Sequence, residues 1–110
     1  MTPADRRSSL RHPLALDITL QMGGGGRVVR GKSVDLSRSG IFVVVGERIA
    51  VGRRVDLIIE CRALRASIAT SGLVVHVLPG VGVGIRFSHQ SPKTRELIGD
   101  LIQKMKQAVS

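Results

Sequence analysis

The chain has no tryptophan and no tyrosine, and its only phenylalanines are Phe42 and Phe87. Apolar residues make up 43% of its 110 residues. A packed core must therefore be assembled from Val, Ile and Leu, a composition that leans towards strands. The scarcity of rings also counts against a barrel that binds single-stranded nucleic acid, because such proteins stack bases on aromatic side chains. Cysteine is limited to Cys61. That excludes a disulfide within the chain and a metal site built on several thiolates. Cys61 sits in an apolar run, so it reads as a buried thiol in a reducing cytoplasm. Acidic residues are few as well: eight against seventeen Lys and Arg, a formal charge of +9. Such an excess attracts anions, whether nucleotides, nucleic acid or acidic lipid, and says nothing about the fold.

No signal peptide is evident, and the one long uncharged run is not a membrane span. Residues 66–85 contain no Asp, Glu, Lys or Arg, but they hold Gly72, His76, Pro79, Gly80, Gly82 and Gly84. Pro79-Gly80 is a turn signal, so the run reads as two strands folded back on each other. The length suits a single domain.

The chain divides into three regions. Residues 1–13 are polar and basic, a flexible N-terminal arm. Residues 14–90 form the barrel. Leu14, Leu16, Ile18 and Leu20 alternate with polar or small residues, the period of a half-buried strand. The glycines at 23–26 turn the chain into a returning strand over 27–34, and residues 35–40 form a loop before a short buried strand at 41–45. Residues 54–61 place Val55, Leu57 and Ile59 on one face. Residues 64–78 are a long strand with a bulge expected at Gly72, and 81–87 close the sheet, with Gly80, Gly82 and Gly84 marking close backbone approach. Residues 91–110 form a C-terminal helix capped by Ser91, with Pro92 in its first turn. Its apolar stripe is Leu97, Ile98, Leu101, Ile102, Met105 and Val109. Gly99 costs this helix about 1 kcal/mol against Ala. The fold class is mainly β: a small six-stranded antiparallel β-barrel with a C-terminal α-helix.

The segment from Gly26 to Ser33 satisfies the phosphate-loop pattern GxxxxGK[ST], yet that loop needs a helix opening at the lysine. The residues after Lys32 read instead as strand and turn. His12, His76 and His89 show no metal-ligand spacing, and no catalytic constellation stands out. The reading is not an enzyme, with no metal and no cofactor.

Two motifs remain. Arg7-Ser8-Ser9-Leu10-Arg11 is an RxxxR preceded by Arg6, and Asp35-Leu36-Ser37-Arg38-Ser39-Gly40 is a DxSxxG. Either alone is weak: the first suits a solvated basic arm, the second a turn in which Asp and Ser bond the backbone and Gly takes φ > 0. Together they suit a guanine dinucleotide. Arginine offers a planar donor fork for phosphate or for guanine O6 and N7. Asp is acceptor-only and matches the N1 and N2 donors of guanine, which adenine lacks.

With both motifs in order, separated by a glycine turn and a strand pair, the sequence resembles the PilZ domain, a bacterial receptor family for cyclic di-GMP. The stretches 72–77 and 82–87 resemble its closing strands. The resemblance implies a barrel whose arm closes over cyclic di-GMP. Arg7 and Arg11 match the arm arginines, and Arg6 the position associated with a stacked pair of ligands. Asp35 and Ser37 match the guanine-contacting loop positions and Gly40 the loop glycine. His76 stands where many members carry Trp and is a further candidate. The implied partners are cyclic di-GMP and an unidentified protein, with no DNA or RNA, no membrane insertion, and a monomer or weak dimer in the cytoplasm. The alternatives are a PilZ-like adaptor without ligand and a basic nucleic-acid-binding barrel.

Overall fold

The computed structural model describes residues 12–13 and 15–109. Seven strands appear: β1 His12–Pro13, β2 Asp17–Met22, β3 Val28–Leu36, β4 Gly40–Val45, β5 Arg54–Cys61, β6 Ala66–Leu78 and β7 Gly82–Ser88. One helix comes after them, α1, Pro92–Val109. Strand β3 pairs with β2 on one side and β4 on the other, so the order β3-β2-β5-β6-β7-β4 closes on itself. All pairings are antiparallel. The result is the expected six-stranded barrel with a C-terminal helix. Closure leaves no long strand edge open to another chain.

Alternation builds the core. In β2, Ile18, Leu20 and Met22 point inward; in β5, Val55, Leu57, Ile59 and Cys61 do so, and every intervening residue of β5 is exposed. Leu20, Leu36, Ile41, Val43, Ile59 and Val74 are wholly excluded from solvent. Branched aliphatic chains fill the interior, as the shortage of rings requires. Phe87 is the one aromatic buried among them.

The turns use the residues expected of them. Gly24 and Gly25 take φ of +79° and +77°, and Gly80, after Pro79, takes +75°, values that favour glycine. At the end of β7, His89 adopts φ +49°. Ser91 then caps α1 by accepting a hydrogen bond from the Thr94 amide at 3.1 Å. The helix packs against β6. It buries Ile98, Leu101 and Ile102, and Met105 Sδ lies 3.7 Å from Cys61 Sγ. Among the described residues, no helix is long and apolar enough to cross a membrane.

Two expectations need correction. The break in β6 is not at Gly72, which pairs regularly with Val55 and Phe87; the register shifts between Val74 and His76. Gly72 is there for space, since a Cβ would stand 2.5 Å from Ile85 Cγ2 and 2.8 Å from the Arg86 carbonyl. Leu97 belongs to the exposed face of α1, not to its buried stripe. The Arg38 guanidinium lies beside Gly99, where a Cβ would sit 3.4 Å from Nη2, an ordinary contact.

Candidate functional site

The DxSxxG segment spans the end of β3, a tight loop and the first residue of β4. Its Ser37 is buried and spends its hydroxyl on the loop itself. Ser37 Oγ accepts from the amides of Ser39 at 3.2 Å and Gly40 at 3.1 Å, and it donates to the Gly40 carbonyl at 3.3 Å. The Ser37 amide donates to that same carbonyl at 2.9 Å. One donor and two acceptor sites are all a hydroxyl has. Ser37, matched by its motif to a ligand contact, also shapes the loop. The loop is stapled to β7 by the Phe87 amide, which donates to the Ser39 carbonyl at 2.9 Å.

Gly40 is required for a different reason from the one its motif suggests. Its φ is not positive. Instead a Cβ at Gly40 would meet the Ile85 carbonyl oxygen at 2.4 Å and the Arg86 Cα at 3.4 Å. Only a residue without a side chain lets β4 start this close to β7.

Asp35 reaches the outer surface through a bulge. Ser33 pairs with Val43, and both are buried; the next ladder pair is Asp35 with Phe42, so Val34 is an extra residue. Strict alternation from Ser33 would turn Asp35 inward. The extra residue reverses that, a common way for a sheet to re-aim a side chain. Ser33 anchors the irregular stretch, its Oγ accepting from the Leu16 amide at 2.8 Å.

The same device recurs on β6. Val74 pairs with Ile85 inside the barrel, His76 pairs with Gly84, and Val75 is the extra, exposed residue. His76 is thereby turned outward too. The two bulges flank the β4–β7 pair and align four residues across the outside of the barrel: Asp35, Phe42, Gly84 and His76. At the usual strand spacing this row spans about 14 Å. On its β3 side the row continues to β1, where Pro13 pairs with Asp35 and His12 with Leu36. The chain thus enters the barrel beside the DxSxxG segment. Arg6, Arg7 and Arg11 lie outside the described residues; Arg11 immediately precedes β1 in the chain.

Two residues on this face escape the motif reading. Phe42 stands in the row itself. Arg86 pairs with Gly40 on one side and Leu73 on the other, exposed and two residues beyond Gly84. The signal for both was the period of two: Ile41 and Val43 inside put Phe42 outside, and Ile85 and Phe87 inside put Arg86 outside. Of the basic cluster after the glycine turn, Arg27 and Lys32 are occupied elsewhere. Arg27 pairs with Glu47 at 2.7 Å and Lys32 with Asp17 at 3.0 Å. Lys32, with Arg62 at 3.3 Å adding to it, holds the Asp17 carboxyl below its ordinary value.

Solved structures with the same fold include the PilZ domain of CeSA from a cellulose-synthesizing bacterium, at TM-score 0.71 and 16% identity over 89% of this chain and 99% of that one. The PilZ domain of YcgR from Escherichia coli, solved with cyclic di-GMP, gives TM-score 0.77 and 14% identity over 94% of both chains. The inhibitor of motility MotI/DgrA from Bacillus subtilis gives 0.71 and 21%, with 93% of this chain covering 52% of that one. No curated protein matches the sequence. The PilZ domain family model matches residues 5–104, nearly the whole chain. Motifs, closed barrel and family match agree, and the chain belongs to the PilZ domain family.

Proposed function

We propose that this protein is a receptor for cyclic di-GMP that signals to a partner protein and is not itself an enzyme. The observation that carries the reading is the outer row of Asp35, Phe42, Gly84 and His76, with the chain entering at β1 beside Asp35. Asp35 accepts from guanine N1 and N2, and Gly40 and Ser37 hold the loop that presents it. Arg7 and Arg11 bind phosphate and guanine from the arm, with Arg6 favouring a second, stacked ligand molecule. His76 borders the far end of the row. The presence of a PilZ domain bound to cyclic di-GMP among the structures of like fold supports this ligand class.

The mechanism rests on charge. Without ligand, the arm's arginines repel one another. Cyclic di-GMP brings two phosphate charges, and a better fit to the closed than to the open arm shifts the population towards closure. The closed surface then engages or releases the partner.

Calorimetric titration with cyclic di-GMP tests the reading, with Arg11→Ala and Asp35→Ala beside the wild type. Saturable binding is expected. Loss of a charge-assisted hydrogen bond costs about 1.5–3 kcal/mol, so each variant should bind at least about tenfold more weakly. The ligand-to-protein ratio reports on Arg6. A folded wild-type protein that does not bind would replace the receptor reading with that of a ligand-free adaptor. Tight, steeply salt-dependent binding to unrelated oligonucleotides would instead favour a nucleic-acid-binding barrel.

A further inference from the structure

We propose that Phe42 is the stacking platform for a guanine base of the bound nucleotide, an inference that rests on the receptor reading. Phe42 lies outside the barrel core: Ile41 and Val43 on either side of it are wholly buried, while Phe42 is only partly so. Its ring lies over β7 where that strand has no side chains. A Cβ at Gly82 would stand 3.0 Å from Phe42 Cε1, and one at Gly84 would stand 3.7 Å from Phe42 Cδ2. These two carbons are para to each other. The ring therefore runs along β7 across the two glycines, against a stretch of strand that carries no side chain. Phe42 is half-buried, so part of its ring is open to solvent.

A half-exposed aromatic ring with no side chain beneath it on β7 offers a surface on which a base can stack. The neighbours fit such a base. On the adjacent strand stands Asp35, the direct ladder partner of Phe42. A base resting against the ring would have this acceptor beside it. Across Gly84 stands His76, and Arg86 is two residues along β7 from Gly84. Arg86 supplies a cation on the rigid barrel, complementary to the phosphates or to guanine O6 and N7. Covering glycines alone asks only for an apolar side chain. The coincidence of an outward aromatic side chain with an adjacent acceptor is what points to a base.

Two substitutions separate stacking from cover, read by calorimetry with cyclic di-GMP and by thermal melting. Phe42→Leu keeps an apolar cap over Gly82 and Gly84 but offers no π face. It should melt close to wild type and bind about tenfold more weakly, within what loss of base–aromatic stacking costs. Phe42→Trp keeps the face and introduces the only indole in a chain without Trp or Tyr. It should bind at least as tightly as wild type, and its emission should be quenched as the site saturates. Wild-type binding with unchanged affinity in Phe42→Leu, or indole emission unaltered at saturation, would overturn the stacking role and leave the receptor reading intact. Absence of binding by the folded wild type would remove both. If Phe42→Leu unfolds, the fluorescence of Phe42→Trp decides.

Discussion

Strands β2 and β5 share a ladder that runs without interruption from Asp17 opposite Glu60 to Met22 opposite Val55. Strands β3 and β6 each carry one extra residue where they meet the β4–β7 pair, Val34 in one and Val75 in the other. The regular pair devotes one face to the core and the other to solvent. The bulged pair gives up ladder regularity at two points and gains an outward row of residues, the row proposed to meet the ligand. On that proposal, stability and recognition fall on opposite sides of one small barrel. A bulge is tolerated because the strand returns to register within two residues, at Leu36 on β3 and at Val77 on β6.

The sharpest way to test this division is to damage the regular side. Leu57→Ala removes a fully buried side chain from β5. It should cost about 2–5 kcal/mol of stability, lowering the melting temperature by about 10 °C or more in a domain of this size. Nucleotide affinity of the molecules that remain folded should be unchanged. A matching loss of affinity would show that the two sides are not independent.

The next largest effect is expected from Gly40→Ala, on the bulged side where β4 meets β7. The added Cβ meets the backbone oxygen of Ile85, and overpacking of this kind costs about 1–3 kcal/mol. Here affinity should fall as well, because the loop carrying Asp35 must move away from β7. Denaturation and calorimetry on the same sample separate the two losses. Ser37→Ala should be comparable or somewhat smaller. It leaves the buried amide of Gly40 and the part-buried amide of Ser39 without their acceptor, at about 1–3 kcal/mol. Restored affinity in Ser37→Thr, which keeps a hydroxyl, would confirm that the loop's shape is what matters.

The smallest effect lies on the exposed Asp17–Lys32 pair of the regular side. The carboxyl of Asp17 is held below its ordinary value of 3.8 by Lys32 and then Arg62. A group whose folded pKa is lowered contributes stability that is present above its unfolded value. That contribution is lost as the pH falls through the folded one. Lys32→Ala should raise the Asp17 titration towards its ordinary value, seen by NMR, and should flatten the stability profile slightly below about pH 4. Added salt should shrink the difference, since exposed pairs are screened.

The strands, their order of burial and the capped helix were legible because each is a local matter. Period two is written directly into Ile18, Leu20 and Met22 and into Val55, Leu57, Ile59 and Cys61, and the Ser91-Pro92 cap acts within one turn. The motifs named Asp35 and Gly40, but not what each does in space. Gly40 reads as a turn glycine until β7 is laid against it. Ser37 is named by its motif, and only the folded loop shows its hydroxyl also bonded to two amides and a carbonyl. His76 comes two residues after Val74 and, by alternation, belongs inside.

By itself the sequence determined the barrel, the charge that favours an anionic ligand and the residue types that suit guanine. Each is a sum over residues or a pattern repeated within a few of them. The tertiary structure decided which of those residues share one outward row. Each bulge adds one residue to a strand relative to its partner, and the side-chain period is two. A single unpaired residue therefore reverses every face after it. Where that residue falls depends on the neighbouring strand, which no local stretch of sequence contains.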